Sequence, residues 1–267
     1  RPEQMILVLV GDVRLEDALP LVEEAFGGFR ARAPARPEPD LGAIDHRGLR
    51  TFFHHEPEAG RTRVTIEVLE LVPPERDNAA AQLARLEEEI ASRMLQNRLD
   101  AWLKKNQAPF TEASMGAGRF LKRVRYAGLS AECAPDRWEE SLAFLERALR
   151  QALEHGFDAA ELERVRKDLR AELAREVAGA DTRESDALAG ELVAALSAGR
   201  VFRAPGQDQD FFGPLLDVLD VAHMNRRLRE LWAPEQRLVL VTGDAAPGPE
   251  VSDMAARVAA LYTASAA

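Results

Sequence analysis

Thr62-Arg63-Val64-Thr65-Ile66-Glu67-Val68-Leu69-Glu70-Leu71 is the stretch on which the fold turns. Val64, Ile66 and Val68 fall on one side of an extended chain, and Arg63, Thr65 and Glu67 fall on the other. A period of two, rich in β-branched residues, marks a half-buried antiparallel strand. Pro73-Pro74 ends it. Upstream, residues 51–55 read as another strand, joined to the first through Pro57-Glu58-Ala59-Gly60. Downstream a long helix carries Leu83, Leu86, Ile90, Met94, Leu99 and Leu103 on or near one face. Two more strands follow at 111–117 and 124–133.

The next stretch is helical. Trp138, Leu142, Leu145 and Leu149 line a first helix. The second opens at Phe157-Asp158-Ala159-Ala160-Glu161-Leu162, where Asp158 and Glu161 form a capping box and Phe157 with Leu162 a hydrophobic staple. A third starts near Thr182. After a loop through 199–209, a last helix ends near Trp232, before a closing strand. This order predicts an α+β fold, a mainly antiparallel sheet with helices packed on it.

The two ends of the chain look alike. Met5-Ile6-Leu7-Val8-Leu9-Val10 reads as a buried strand closed by Gly11-Asp12, and Arg237-Leu238-Val239-Leu240-Val241-Thr242-Gly243-Asp244 repeats the unit. Each is followed by an apolar-periodic helix, around 15–26 and 251–262. The pair is either an internal repeat or the coincidence of two common strand endings. Residue 1 is Arg, not Met, and the expectation is a chain cut from a larger protein. Residues 1–29 would be the terminal strand and helix of a preceding domain, and 49–267 a whole one. Between them, 30–48 holds Pro34, Pro37 and Pro39 and reads as an extended linker, with a surface loop as the alternative.

Composition narrows the function. The 267 residues are 46% hydrophobic and 30% charged, as in an ordinary globular protein. A formal net charge of -10 argues against nucleic-acid binding, which needs a basic excess. The basic residues are nearly all Arg, with Lys only at 104, 105, 122 and 167. No apolar run is long enough to span a membrane, and no signal peptide is present. Cys133 is the single cysteine, so there is no internal disulfide and no Cys-rich metal site.

His54-His55-Glu56-Pro57-Glu58 is the most tempting chemical cluster. Zinc needs converging imidazoles and carboxylates, and helical His-x-x-Glu-His provides them on one face. Here the histidines are adjacent in a strand and point to opposite faces, and Pro57 opposes a helix. His155, before Gly156, and His223, beside Arg226 and Arg227, suit helix ends and helix faces structurally. Ser114 lacks a Gly-x-Ser-x-Gly elbow, and Gly11 and Gly243 lack the further glycines of a phosphate cradle. The reading assigns no catalytic residue and no metal ligand.

Scattered motifs nevertheless resemble one family along nearly the whole chain. Arg1-Pro2-Glu3-Gln4-Met5-Ile6-Leu7-Val8-Leu9-Val10-Gly11-Asp12 resembles the strand that ends the zinc-carrying first domain of the insulinase/pitrilysin metallopeptidases, which include mitochondrial processing peptidase. Arg93-Met94-Leu95-Gln96-Asn97-Arg98-Leu99, Gly156-Phe157-Asp158-Ala159-Ala160-Glu161-Leu162-Glu163-Arg164 and Thr182-Arg183-Glu184-Ser185-Asp186-Ala187-Leu188-Ala189 resemble elements of its second domain. The resemblance implies a processing-peptidase-like metallohydrolase fold and a non-catalytic domain of a bacterial zinc metalloendopeptidase. Such a domain walls a chamber that admits peptides or small unfolded proteins, and substrate can add to a sheet edge as a strand. Its partners would be a preceding zinc-binding domain and a peptide substrate. Zinc would belong to the parent enzyme, with none on this chain, and the fragment would be inactive alone. The family's distal Arg/Tyr pair finds no match, since Tyr126 and Tyr262 lack the right surroundings. Periplasm and cytoplasm both remain open. The alternative is a non-peptidase scaffold or partner subunit of the same fold.

Overall fold

The computed structural model describes residues 2, 5–34, 37, 39–245 and 253–265. Arg1, Glu3, Gln4, Ala35, Arg36, Glu38 and Val251, which the sequence reading placed in the opening segment, linker and closing helix, lie outside them. The first elements are α1 (Leu15–Phe26), β1 (Leu49–His55), β2 (Thr62–Leu71), α2 (Ala79–Lys104), β3 (Glu112–Phe120) and β4 (Val124–Cys133). Then come α3 (Trp138–His155), α4 (Ala159–Ala178), α5 (Ser185–Ala198), α6 (Pro205–Val218), α7 (Val221–Leu231), β5 (Gln236–Gly243) and α8 (Met254–Ser265). These form two compact units, Arg1–Gly42 with Leu173–Asp210, and Ala43–Glu172 with Phe211–Ala267.

The larger unit is built on one five-stranded sheet of order β1-β5-β2-β4-β3. Only β1 and β5 run parallel, and every other pair is antiparallel. The alternation read in β2 is realised: Val64, Ile66 and Val68 are buried, and Arg63 is exposed. Leu129 of β4 and Val239 and Val241 of β5 share that buried face. Helices α2, α3 and α8 pack on the sheet, and Ile90, Met94, Leu142 and Leu145 are fully buried. Each such side chain contributes about 1.5–3 kcal/mol on leaving water, which makes this layer the main source of stability.

Gly243 shows why the closing strand ends on glycine. Its φ is +117°, and a Cβ there would lie 2.2 Å from the Arg61 carbonyl oxygen. No other residue fits as β5 ends against the start of β2.

The smaller unit contains α1 and α5, neither with a buried residue. The strand expected at 5–10 is not formed. Met5, Ile6, Leu7 and Leu9 are more than half exposed and join no ladder. Apolarity alone does not make a strand; its amides need a partner to pair with.

One strand neighbour is not foreseen by the sequence, and one other expectation changes. The two strands joined through Pro57–Ala59, now a short 3-10 turn, are not neighbours, because β5 lies between β1 and β2. Part of the loop expected at 199–209 is the start of α6, which opens at Pro205. Proline lacks only an amide that the first helical turn leaves unpaired, so it begins a helix readily. Five helices, not four, therefore separate β4 from β5.

Candidate functional site

Within the larger unit, the side of the sheet opposite Val64, Ile66 and Val68 is the more open one among the described residues. Register places Phe52, Leu240, Thr65, Ser130 and Ser114 in one row across this face, from β1 to β3. The next row holds Arg50, Leu238, Glu67, Gly128 and Gly116. Phe52 is 45% exposed and Tyr126 36% exposed, so the face is open to solvent. The hydroxyls of Ser114 and Ser130 are 2.8 Å apart and bind each other. At one end Glu132 accepts hydrogen bonds from Arg63 and Arg61. The Arg63 hydrogen bond, more than any other cause, holds the Glu132 carboxyl below the usual range.

Strand β3 borders this face and pairs only with β4. Gln96 of α2 caps part of its free edge: its Oε1 accepts from the Met115 amide at 2.7 Å, and its Nε2 donates to the Ala113 carbonyl at 3.0 Å. In an antiparallel strand alternate residues turn both peptide groups to the same side. Ala113 and Met115 therefore point away from β4, and so do Ala117 and Arg119. Beyond Gln96, among the described residues, nothing pairs with the edge from the Met115 carbonyl through Ala117 to Arg119.

The histidine cluster is dispersed, as its strand setting implies. His54 is exposed on the open face, and His55 turns to the other side, its Nδ1 buried without a hydrogen-bond partner among the described residues. Glu56 instead accepts from the Glu58 amide within the following turn. These residues do not fit a zinc ion. Among the described residues no group of three His, Cys, Asp or Glu side chains could hold a metal. Cys133 is buried, its thiol pushed up by burial, and it donates to the Thr62 carbonyl at 3.6 Å. Tyr262 accepts a hydrogen bond from Arg237, and His223 stands 3.6 Å from Glu87 in a contact between α7 and α2. A polar cleft of about 390 Å³ lies among Arg47, Glu70, Arg125, Glu230 and Glu235, but Arg125 already serves Glu70 and Glu88. Among the described residues no helix is long and apolar enough to cross a membrane.

The most family-like motifs are structural joints. The Asp158 amide donates to Glu161 and the Glu161 amide to Asp158, each at 2.9 Å, forming the expected capping box. Arg98 of α2 donates to both Glu161 oxygens and, at 2.6 Å, to the Gly156 carbonyl. Its guanidinium lies 4.8 Å from the Phe157 ring centroid. The Arg93–Leu99 and Gly156–Arg164 motifs thus meet and lock α2 to the start of α4. Gln96 and Glu67 had no signal of their own in the sequence, because one sits in a helix motif and the other reads as a solvent-facing strand residue.

A family model described as "Peptidase M16 inactive domain" matches residues 1–169. No curated protein matches the chain by sequence. The fold is similar to the first half of the periplasmic protease PqqL from Escherichia coli, at TM-score 0.80 and 15% identity, covering 96% of this chain and 55% of that one. It is also similar to a predicted insulinase family protease from Yersinia pestis, at TM-score 0.79 and 16% identity, with 96% and 54% covered. A third neighbour is the ferredoxin protease FusC in complex with Arabidopsis ferredoxin, at TM-score 0.69 and 15% identity, with 96% and 28% covered. The chain therefore spans only part of each of these proteins. With the family model covering most of the sequence, the chain belongs to the Peptidase M16 inactive domain family and is a non-catalytic domain of the insulinase type.

Proposed function

We propose that this domain binds the extended backbone of a peptide, presenting it to a zinc-carrying catalytic domain that precedes it in a bacterial metalloendopeptidase. The observation that carries the reading is the open edge of β3 beside the more exposed face of the sheet. An added strand would take hydrogen bonds from the outward peptide groups of Ala117 and Arg119, which give affinity with little sequence preference. The more exposed face then becomes part of the wall of a substrate chamber. The zinc and the base that activates its water lie on the preceding domain, and this chain contributes binding alone. The substrates are peptides or small unfolded proteins. The exposed apolar segment 5–10, with α1, supports assignment of residues 1–29 to that preceding domain, followed by a linker at 30–48.

Proline at position 117 tests the edge. Ala117→Pro removes the central outward donor, and proline is tolerated on an edge strand where the amide faces solvent. A fluorescent extended peptide is expected to lose about tenfold or more in affinity, with the thermal unfolding of the variant close to that of the parent. Unchanged affinity would place peptide binding elsewhere.

A further inference from the structure

The open face carries a half-buried carboxylate that no cation answers among the described residues. Glu67 sits in β2 with Leu238 of β5 on one side and Gly128 of β4 on the other. No Lys, Arg or His side chain pairs with it among the described residues, whereas Glu132 at the end of the same face has two arginines. Desolvation by its neighbours pushes the Glu67 carboxyl up. A half-buried carboxylate without a partner is a cost to the fold, and a ligand cation would relieve it.

The surroundings show where that cation would come from. A Cβ built on Gly128 would meet Glu67 Cγ at 3.0 Å and Oε1 at 3.4 Å, so the glutamate leans over Gly128 toward β3. The next residue in the row is Gly116 of β3, where a Cβ would meet nothing within 4 Å. A lane free of side chains runs from Glu67 across Gly128 and Gly116 to the open edge. Ser130 and Ser114 border it on one side, and Tyr126, whose ring lies over Gly118, borders it on the other.

Resting on the edge reading above, we infer that this lane is a subsite for a basic side chain of the added peptide, arginine by preference, whose guanidinium ends on Glu67. In an added strand the residue opposite Gly116 turns its side chain onto the same face as Gly116. Its Cα lies two strand spacings from Gly128, about 10 Å. An extended arginine covers that gap to the leaning carboxylate, and its planar fork can engage both oxygens. Lysine is shorter and offers a single point charge. The glycines matter because any larger side chain at 116 or 128 would stand in the path.

The test uses two extended fluorescent peptides identical except that one has arginine where the other has citrulline, the uncharged isostere. The parent chain is expected to bind the arginine peptide about tenfold more tightly, the scale of a charge-assisted hydrogen-bonded contact. Glu67→Gln is expected to remove the preference. Gly116→Leu is expected to remove it too, by filling the lane. Equal binding of the two peptides to the parent chain overturns the subsite and leaves the edge reading standing. A preference that survives in both variants also overturns it. Failure of both peptides to bind overturns the edge reading itself.

Discussion

Gly156→Ala is expected to destabilise the domain by about 3 kcal/mol, read as a lower denaturant midpoint with an unchanged slope. Gly156 follows the last turn of α3 with φ 70° and ψ -163°, a conformation open essentially to glycine alone. A Cβ there would lie 2.5 Å from the Asn225 side-chain nitrogen. Asn225 cannot simply move aside, because its oxygen accepts from the Phe157 amide at 2.7 Å and its nitrogen donates to the Phe157 carbonyl at 3.2 Å. The same turn holds the carbonyl bound by Arg98. One methyl group therefore strains the backbone and displaces the side chain that ties α7 to the start of α4. A loss below about 0.5 kcal/mol, the size of an ordinary surface change, would show that the turn relaxes freely.

Arg227→Ala is expected to cost about 3–5 kcal/mol in the same measurement. Glu87 of α2 is buried, and Arg227 of α7 donates to it through Nε at 2.8 Å and through a second nitrogen. Removing the arginine leaves a buried carboxylate with His223 at 3.6 Å as its remaining basic neighbour. The cost comes from that stranded charge more than from the value of the pair, because burying two ions is itself expensive. Combining Glu87→Leu with Arg227→Leu should consequently recover most of the loss. A double variant as unstable as Arg227→Ala would mean that packing between α2 and α7, not charge, was lost.

Much of the fold is legible along the chain because its signals are local. The alternation of Val64, Ile66 and Val68, the capping box of Asp158 and Glu161, and the opposite facing of His54 and His55 each follow from a few neighbouring residues. The insertion of β5 between β1 and β2 leaves no such trace, since Phe53 and Val241 pair across a long intervening chain. The same applies to the edge. Gln96 reads as one more polar residue of α2, and only the folded sheet brings it to Met115. Met5-Ile6-Leu7-Val8-Leu9-Val10 errs in the other direction, because its apolar run resembles a buried strand while among the described residues it joins no ladder. Glu67 is the most instructive residue. Periodicity assigns it to solvent, but register places it over Gly128, half-buried and without a counter-ion among the described residues.

The most direct test of a non-catalytic peptide-binding role is amide hydrogen exchange on the chain, with zinc present, before and after saturation with an extended arginine-containing peptide. New protection is expected at the amides of Ala117 and Arg119, with the peptide recovered intact. Cleavage of the peptide by this chain, or protection elsewhere with β3 unchanged, would contradict that role.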